Sequence, residues 1–336
     1  MSVPVIHEAQ TSSLDEQMAV RVAWLYFVEG WTQGEIAKAL DTNRLRINRM
    51  INDARKSGLV TFTLNSRLTS CIELERQLIA AFGLKSAIVV PTPRDSDLLR
   101  PAIGQATAAY MSGVLNAETI TGIAVSWGTT IREVIRHLPM MQRPDLLVTS
   151  ALGGLTRGLE INSFDIAANM ARQLGAQCGY MAAPIYVSSA ESRKILMSQD
   201  VFREAFDRVS ACQMMLASVG DISGFSQLTR YGLPADVSLE DLREAGACGD
   251  ILGHVIGCDG HPIDHPVNKR CISIDLNELK KIRHVICASG GPGKAEPLAG
   301  VMLAGWVNVV VTDEDTARAA LLHGASAQAA AKASAH

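Results

Sequence analysis

Six short apolar runs constrain this chain more than any other feature: AIVV (87–90), TGIAVS (121–126), DLLVTS (145–150), MMLASVG (214–220), HVICASG (284–290) and VNVVV (307–311). Several are apolar at nearly every position, as strands covered on both faces must be. Between them lie helical patterns at 98–115, 164–174, 191–206 and 294–304. Strands alternating with helices predict a mostly parallel, doubly wound α/β sheet. In GHVIGCDGHPID (253–264), Asp259-Gly260 stands between two short runs and signals a hairpin.

The chain has 336 residues, 48% of them hydrophobic and 19% charged, enough for two or three domains with a large core. With Lys+Arg at 31 and Asp+Glu at 34, the net charge of −3 excludes a uniformly basic coat but not a local basic patch. No apolar run approaches the roughly 18 residues of a membrane span, and the first 13 residues lack a signal-peptide apolar segment. Seven cysteines, scattered and without a CxxC pair, fit reduced thiols in a cytoplasmic protein. The sequence carries no repeat of fixed period.

The first sixty residues differ in character. Residues 15–29 form one helix pattern, with Met18, Val22, Leu25 and Tyr26 on one face, broken by Gly30. Thr32 caps a second helix and Glu35 completes a capping box, with Ile36, Ala37 and Leu40 on its apolar side. A turn at 41–43 follows, and Asn43 caps a third helix over 44–57, ended by Gly58. LVTFTL (59–64) alternates like a strand.

At 100° per residue, Ile47, Met50, Ile51 and Ala54 fall on one stripe of the third helix. Leu45, Asn48, Arg49, Asn52, Arg55 and Lys56 fall on the other side. Residues 44–56 hold five basic side chains (44, 46, 49, 55, 56) against one acidic, Asp53, a local charge of +4. A second helix, a tight turn and a third helix with a basic, Asn-rich face make a helix-turn-helix. The major groove admits such a helix; Arg pairs with guanine, Asn with adenine, and Lys and Arg neutralise phosphates. The candidate DNA contacts are Asn43, Arg44, Leu45, Arg46, Asn48, Arg49, Asn52, Arg55 and Lys56.

Three Gly-rich loops follow the apolar runs, where open α/β sheets bind small molecules. Ser126-Trp127-Gly128-Thr129-Thr130 precedes a helix and suits a phosphate, through free N–H groups and two hydroxyls. Leu152-Gly153-Gly154 is the second, with Asn162 downstream. The third, 288–294, ends in Lys294 but is not a Walker A loop, because Ala295 follows the lysine. Lys294 comes from a different strand end and would close on the same ligand with a full positive charge. His254, Cys258, His261 and His265 lie close together, but their spacing matches no usual zinc pattern, and no metal or other cofactor is expected.

Residues 29–60 (EGWTQGEIAKALDTNRLRINRMINDARKSGLV) resemble the DNA-binding segment of the SorC family of bacterial sugar-responsive transcriptional regulators. That family opens its recognition helix with a Ser-Arg-Pro-Thr-Val-Ser-Arg-like run. Here the matching run is Asn43 to Arg49: Arg44 and Arg49 match, while Asn43, Leu45 and Asn48 depart, which bears on the operator sequence rather than on the mode of binding. SWGTTI, ALGGL, GDILGHVIGCDGHPID and the 287–322 segment are similar to the family's sugar-binding domain, related in fold to sugar-phosphate isomerases. The resemblance covers roughly 14–322. It implies a phosphate site at Gly128, Thr129 and Thr130, and sugar contacts at Gly153, Gly154, Asn162, Asp250 and Lys294. It adds Arg230 near the ligand, draws in Asp221 and Trp127, and implies a tetramer, a dimer of dimers.

The expected organisation is therefore a helix-turn-helix domain (1–66), a connecting helix and linker (67–86), an α/β effector domain (87–322) and a disordered tail (323–336). Within the connector, Ile72, Leu78, Ile79 and Phe82 offer a stripe for a partner subunit. The expected function is a repressor or activator of a sugar or polyol operon, controlled by a phosphorylated metabolite such as one from erythritol or pentitol catabolism. Its partners are operator DNA, the effector and further copies of the chain, with no membrane. The alternative is a sugar-phosphate isomerase, for which the sequence offers a phosphate loop, an Asp and a Lys but no paired carboxylate motif.

Overall fold

The computed structural model describes residues 14–60, 68–155, 162–224 and 226–334. The chain divides into two compact units, Met1–Ser66 and Arg67–His336.

In the first unit, three helices share one small core: α1 (Leu14–Phe27), α2 (Gln33–Ala39) and α3 (Arg44–Lys56). Val22, Ile36 and Ile47 are fully buried, with Ala37 and Ile51 packed beside them. Each such side chain contributes roughly 1.5–3 kcal/mol on burial, which is how a unit this small holds together. Thr32 caps α2 as a complete capping box: its Oγ1 accepts from Glu35 N at 3.3 Å and Glu35 Oε2 accepts from Thr32 N at 2.8 Å. Asn43 caps α3 by accepting from Arg46 N at 2.8 Å. Leu59 and Val60 are not in a strand, and 61–64 lie outside the described residues.

The second unit is built on seven parallel strands in the order β1-β10-β9-β5-β2-β3-β4. These are β1 (Ser86–Val90), β2 (Gly122–Val125), β3 (Leu147–Ser150), β4 (Gln177–Gly179), β5 (Met214–Ala217), β9 (His284–Ala288) and β10 (Val309–Asp313). The apolar runs serve both faces at once. Ile123, Val125, Met214, Leu216, Val309 and Val311 point into one core, and Ala124, Met215, Ala217 and Val310 into the other. The first core is roofed by α5 (Leu99–Ala117), α6 (Thr129–His137) and α7 (Ser163–Leu174). A second, antiparallel sheet follows the order β6-β7-β8: β6 (Val219–Asp221), β7 (Gly249–Ile251) and β8 (His254–Ile256).

Four local expectations change. The run 214–220 is two strands, because the chain leaves the parallel sheet at Ser218 and pairs Val219–Asp221 with β7. The tight hairpin turn lies at Leu252-Gly253, both at positive φ, while Asp259-Gly260 closes only an isolated bridge from Ile256 to Pro262. The pattern at 191–206 breaks into α8 (Ala190–Met197) and α9 (Asp200–Ser210). The tail expected to fray continues as helix, since α13 runs Glu314–Ser334; alanine is the strongest helix former, and low complexity here is helical composition.

The connector forms α4 (Leu68–Phe82), ended by Gly83 at φ 67°. Its expected pairing stripe is mostly consumed inside the unit. Leu78 is fully buried, Phe82 lies against Gly324 of α13, and only Ile72, with Leu68, remains exposed.

Candidate functional site

The first unit presents α3 outward. Asn43, Arg44, Leu45, Arg46, Asn48, Arg49, Asn52, Arg55 and Lys56 are all exposed, while Ile47, Ile51 and Ala54 are buried. Leu45 is 73% exposed, an apolar group held in water at the start of a basic helix; thymine methyls in the major groove are a natural partner for it. Asn43 is spent partly on capping. Asn48 is held by a residue the sequence reading missed: its Oδ1 accepts from Gln33 Nε2 at 3.3 Å and from Asn52 Nδ2 at 3.4 Å. That leaves the Asn48 amide nitrogen as its free end, suited to a single base acceptor rather than to the two-point adenine contact.

In the second unit a cavity of about 300 Å3 opens where the strand order reverses. In such sheets the loops on either side of the reversal diverge and leave a crevice at the carboxyl ends. The loop after β2 contributes Trp127, Gly128, Thr129 and Thr130; the segment after β5 contributes Ser218, Gly220 and Asp221; β7 contributes Asp250; and the loop after β9 contributes Gly290, Gly291 and Lys294. Gly128 stands at φ 122° as the N-cap of α6 and supplies no side-chain cap. A nine-residue helix thus begins at the cavity with its first N–H groups and the positive end of its dipole.

The charged centre differs from expectation. Lys294 Nζ lies 3.1 Å from Asp221 Oδ2, so its charge is already matched. Burial alone would raise the Asp221 carboxyl, but the Lys294 ammonium and the Ser223 hydrogen bonds hold it below its ordinary value. Asp250 is 4% exposed, and burial pushes its carboxyl up to about 6 against the pull of Lys294. Asp221, Asp250 and Lys294 together, in a polar cavity that Asp97 and Arg100 also line, suit hydroxyl groups, which need acceptors and a donor in alternation.

Asp250 makes stability depend on pH. Its carboxyl titrates at about 6 in the fold against 3.8 for the free group, so the ionised form is the costly one. That term is fully favourable below about pH 4 and is lost as pH rises through 6. Wild type is expected to gain about 1–3 kcal/mol from it between pH 7 and pH 4.5 in urea unfolding, and Asp250→Asn to flatten the gain. An unchanged slope in Asp250→Asn would show that Asp250 is not the titrating group.

Four expected effector residues do not reach this cavity. Gly153 and Gly154 form a crossing instead: their N–H groups donate to Ile272 O at 2.9 Å and Ala183 O at 2.8 Å. A side chain on Gly153 would meet the Pro184 carbonyl, and one on Gly154 the Phe164 ring. Asn162 is buried and spent on Leu155, accepting from its N at 3.2 Å and donating to its O at 2.9 Å. Arg230, with Gly154, lines a separate cavity of about 250 Å3 beside Arg270. The nearby His and Cys side chains disperse as well. His254 is buried against the Ile274 carbonyl at 3.1 Å, Cys258 lies 3.3 Å from Glu296, and His261 packs edge-on to Trp306.

The sequence reading also missed Ser96, Asp97 and Arg100, which line the cavity from the turn Ser96–Leu98 and the first turn of α5. It missed Asp313 too. This buried carboxylate accepts from Gly291 N at 3.0 Å, Thr316 Oγ1 at 2.6 Å and Thr92 Oγ1 at 2.9 Å, and so fixes the loop that carries Lys294. A carboxylate closing strand β10 was the available signal.

The Sugar-bind family model, a sugar-binding domain, matches residues 66–322. The erythritol catabolism regulatory protein EryD of Brucella abortus is 28% identical over 91% of this chain and 96% of its own. The transcriptional regulator LsrR of Klebsiella pneumoniae is 28% identical over 91% of this chain and 93% of its own. The full-length sorbitol operon regulator SorC from Klebsiella pneumoniae superposes with a TM-score of 0.69 at 25% identity, covering 92% of this chain and 100% of that one.

Proposed function

The chain belongs to the SorC family of sugar-binding transcriptional regulators, and from that premise we propose that it is a cytoplasmic operator-binding protein whose DNA affinity is set by a short phosphorylated polyol or sugar. One observation carries the effector reading: two carboxylates and a lysine face an uncapped helix start across one small cavity. The carboxylates and Lys294 take the hydroxyl groups, and Gly128, Thr129 and Thr130 take the phosphate through N–H groups, hydroxyls and the helix dipole. A volume of about 300 Å3 lies at the small end of ligand sites and favours a chain of four or five carbons. The erythritol in the name of the Brucella relative points to the same size.

An isomerase would use the same cavity but gives the exposed basic face of α3 no task. A helix-turn-helix gains specificity by reading two half-sites. The assembly proposed is a dimer of dimers, with Leu68 and Ile72 on the exposed face of α4 available for pairing.

Calorimetry with erythritol, erythritol 4-phosphate, xylitol and xylulose 5-phosphate tests the effector class. The four-carbon ester is expected to bind at least tenfold more tightly than erythritol, because only the ester satisfies the start of α6. Tighter binding of the free polyols would show that no phosphate site exists there.

A further inference from the structure

We propose that Arg100, not Lys294, is the cation that meets the anionic end of the effector; this rests on reading the cavity as the effector site. Two cationic side chains line that cavity among the described residues, Arg100 and Lys294. Lys294 is matched by Asp221 at 3.1 Å. Arg100 makes no ion pair among the described residues, although Asp97 lines the same cavity one turn earlier. Arg100 also sits in the first turn of α5, a turn without an acidic side chain, at the helix end where a positive charge is least favourable. An anion in the cavity would relieve that placement.

The packing sets Arg100 beside the expected phosphate position. α5 follows β1 and α6 follows β2, both strands of the parallel sheet, so both helices start at its carboxyl edge and run the same way. They touch backbone to backbone at Gly104, where an added Cβ would stand 2.8 Å from the Glu133 carbonyl carbon. Arg100 lies four residues before Gly104, and Thr129 four before Glu133. One turn up from the contact, roughly 6 Å along each axis, Arg100 and Thr129 are therefore neighbours at the lip. Arg100 is held in register by its flanks. Leu99 is buried beneath Gly291, and Pro101 stiffens the first turn. The cavity then has two ends: hydroxyl acceptors at Asp221 and Asp250, and an anion seat between Arg100 and the start of α6.

Calorimetry with erythritol 4-phosphate, erythritol and inorganic phosphate is the test, on wild type, Arg100→Gln, Arg100→Lys, Arg94→Gln and Lys294→Met. Arg94 supplies the control, because it carries the same charge in the same segment but does not line the cavity. Arg100→Gln is expected to weaken the ester at least tenfold and erythritol less than twofold, with partial recovery in Arg100→Lys and no change in Arg94→Gln. Lys294→Met should weaken ester and polyol alike. Loss of the ester alone in Lys294→Met, with Arg100→Gln silent, overturns the assignment and leaves the cavity standing. Equal losses in Arg94→Gln and Arg100→Gln would reduce the effect to a long-range field and overturn it too. If neither variant changes any binding, or wild type binds neither ester nor inorganic phosphate, the anion seat does not exist.

Discussion

A Gly220→Ala variant is expected to lose effector binding by more than about 100-fold while keeping its grip on operator DNA. Gly220 in β6 pairs with Asp250 in β7. A methyl group there would collide with Asp250 Oδ1 at the wall of the cavity. Asp250 is buried except where it meets the cavity, so its carboxylate must swing out of place or the strand pair must open; overpacking of this kind costs about 1–3 kcal/mol of stability. Two hydroxyl hydrogen bonds to a carboxylate, at about 1.5–3 kcal/mol each, go with it. Gly224→Ala is the matched control, because a side chain there meets nothing within 4 Å. Calorimetry and operator anisotropy on both variants separate the two functions. A Gly220→Ala protein that binds effector as wild type does would remove Asp250 from the site.

The second large effect concerns DNA. Arg49 is exposed on α3 and has no ion-pair partner among the described residues, so it is free to reach a base edge. Arg49→Ala is expected to cost about 1–3 kcal/mol of operator affinity and to relax preference at one base pair. Lys56, in the last turn of α3, is placed for phosphates instead. Lys56→Ala should weaken all DNA alike and reduce the salt slope by about one. Unchanged operator affinity in Arg49→Ala at fixed salt would mean that another face of the helix enters the groove.

The parts of the fold that were legible are those where one physical rule acts alone. Runs such as 121–126 and 307–311 are apolar on both faces because both faces of the sheet are covered. The capping box at Thr32 and Glu35 is local chemistry, readable from a spacing of three. β4, with three exposed or half-buried residues at the sheet edge, carries no such pattern. The break at Ser218 is invisible because an apolar residue suits either sheet, and pairing with β7 is a long-range event. The hairpin turn at Leu252-Gly253 puts a leucine at φ 52°, a conformation that residue rarely adopts, so Asp259-Gly260 gave the stronger signal.

The site was legible to a similar depth. Gly128, Thr129, Thr130 and Lys294 stand at strand ends, which a linear reading can find, and the resemblance supplied Asp250. ALGGL has the same form, yet its glycines exist because the Pro184 carbonyl and the Phe164 ring press on them. A glycine needed for close packing and one needed for a ligand look alike in sequence. Arg100 was hidden for the opposite reason: it lies in a helix start with no motif, and its meaning depends on α6, brought alongside through Gly104 and Glu133. The charge expected of Lys294 was misjudged because Asp221, seventy-three residues earlier, becomes its partner only in the fold.

Occupancy of the cavity is expected to change affinity for operator DNA, a coupling free energy between two sites. Anisotropy of a labelled operator fragment, titrated with wild-type protein with and without saturating erythritol 4-phosphate at one salt concentration, measures it directly. A shift of about tenfold in operator Kd, in either direction, absent in Gly220→Ala and present in Gly224→Ala, is the predicted result. Saturable binding of the ester in the cavity with no change in operator Kd would contradict it.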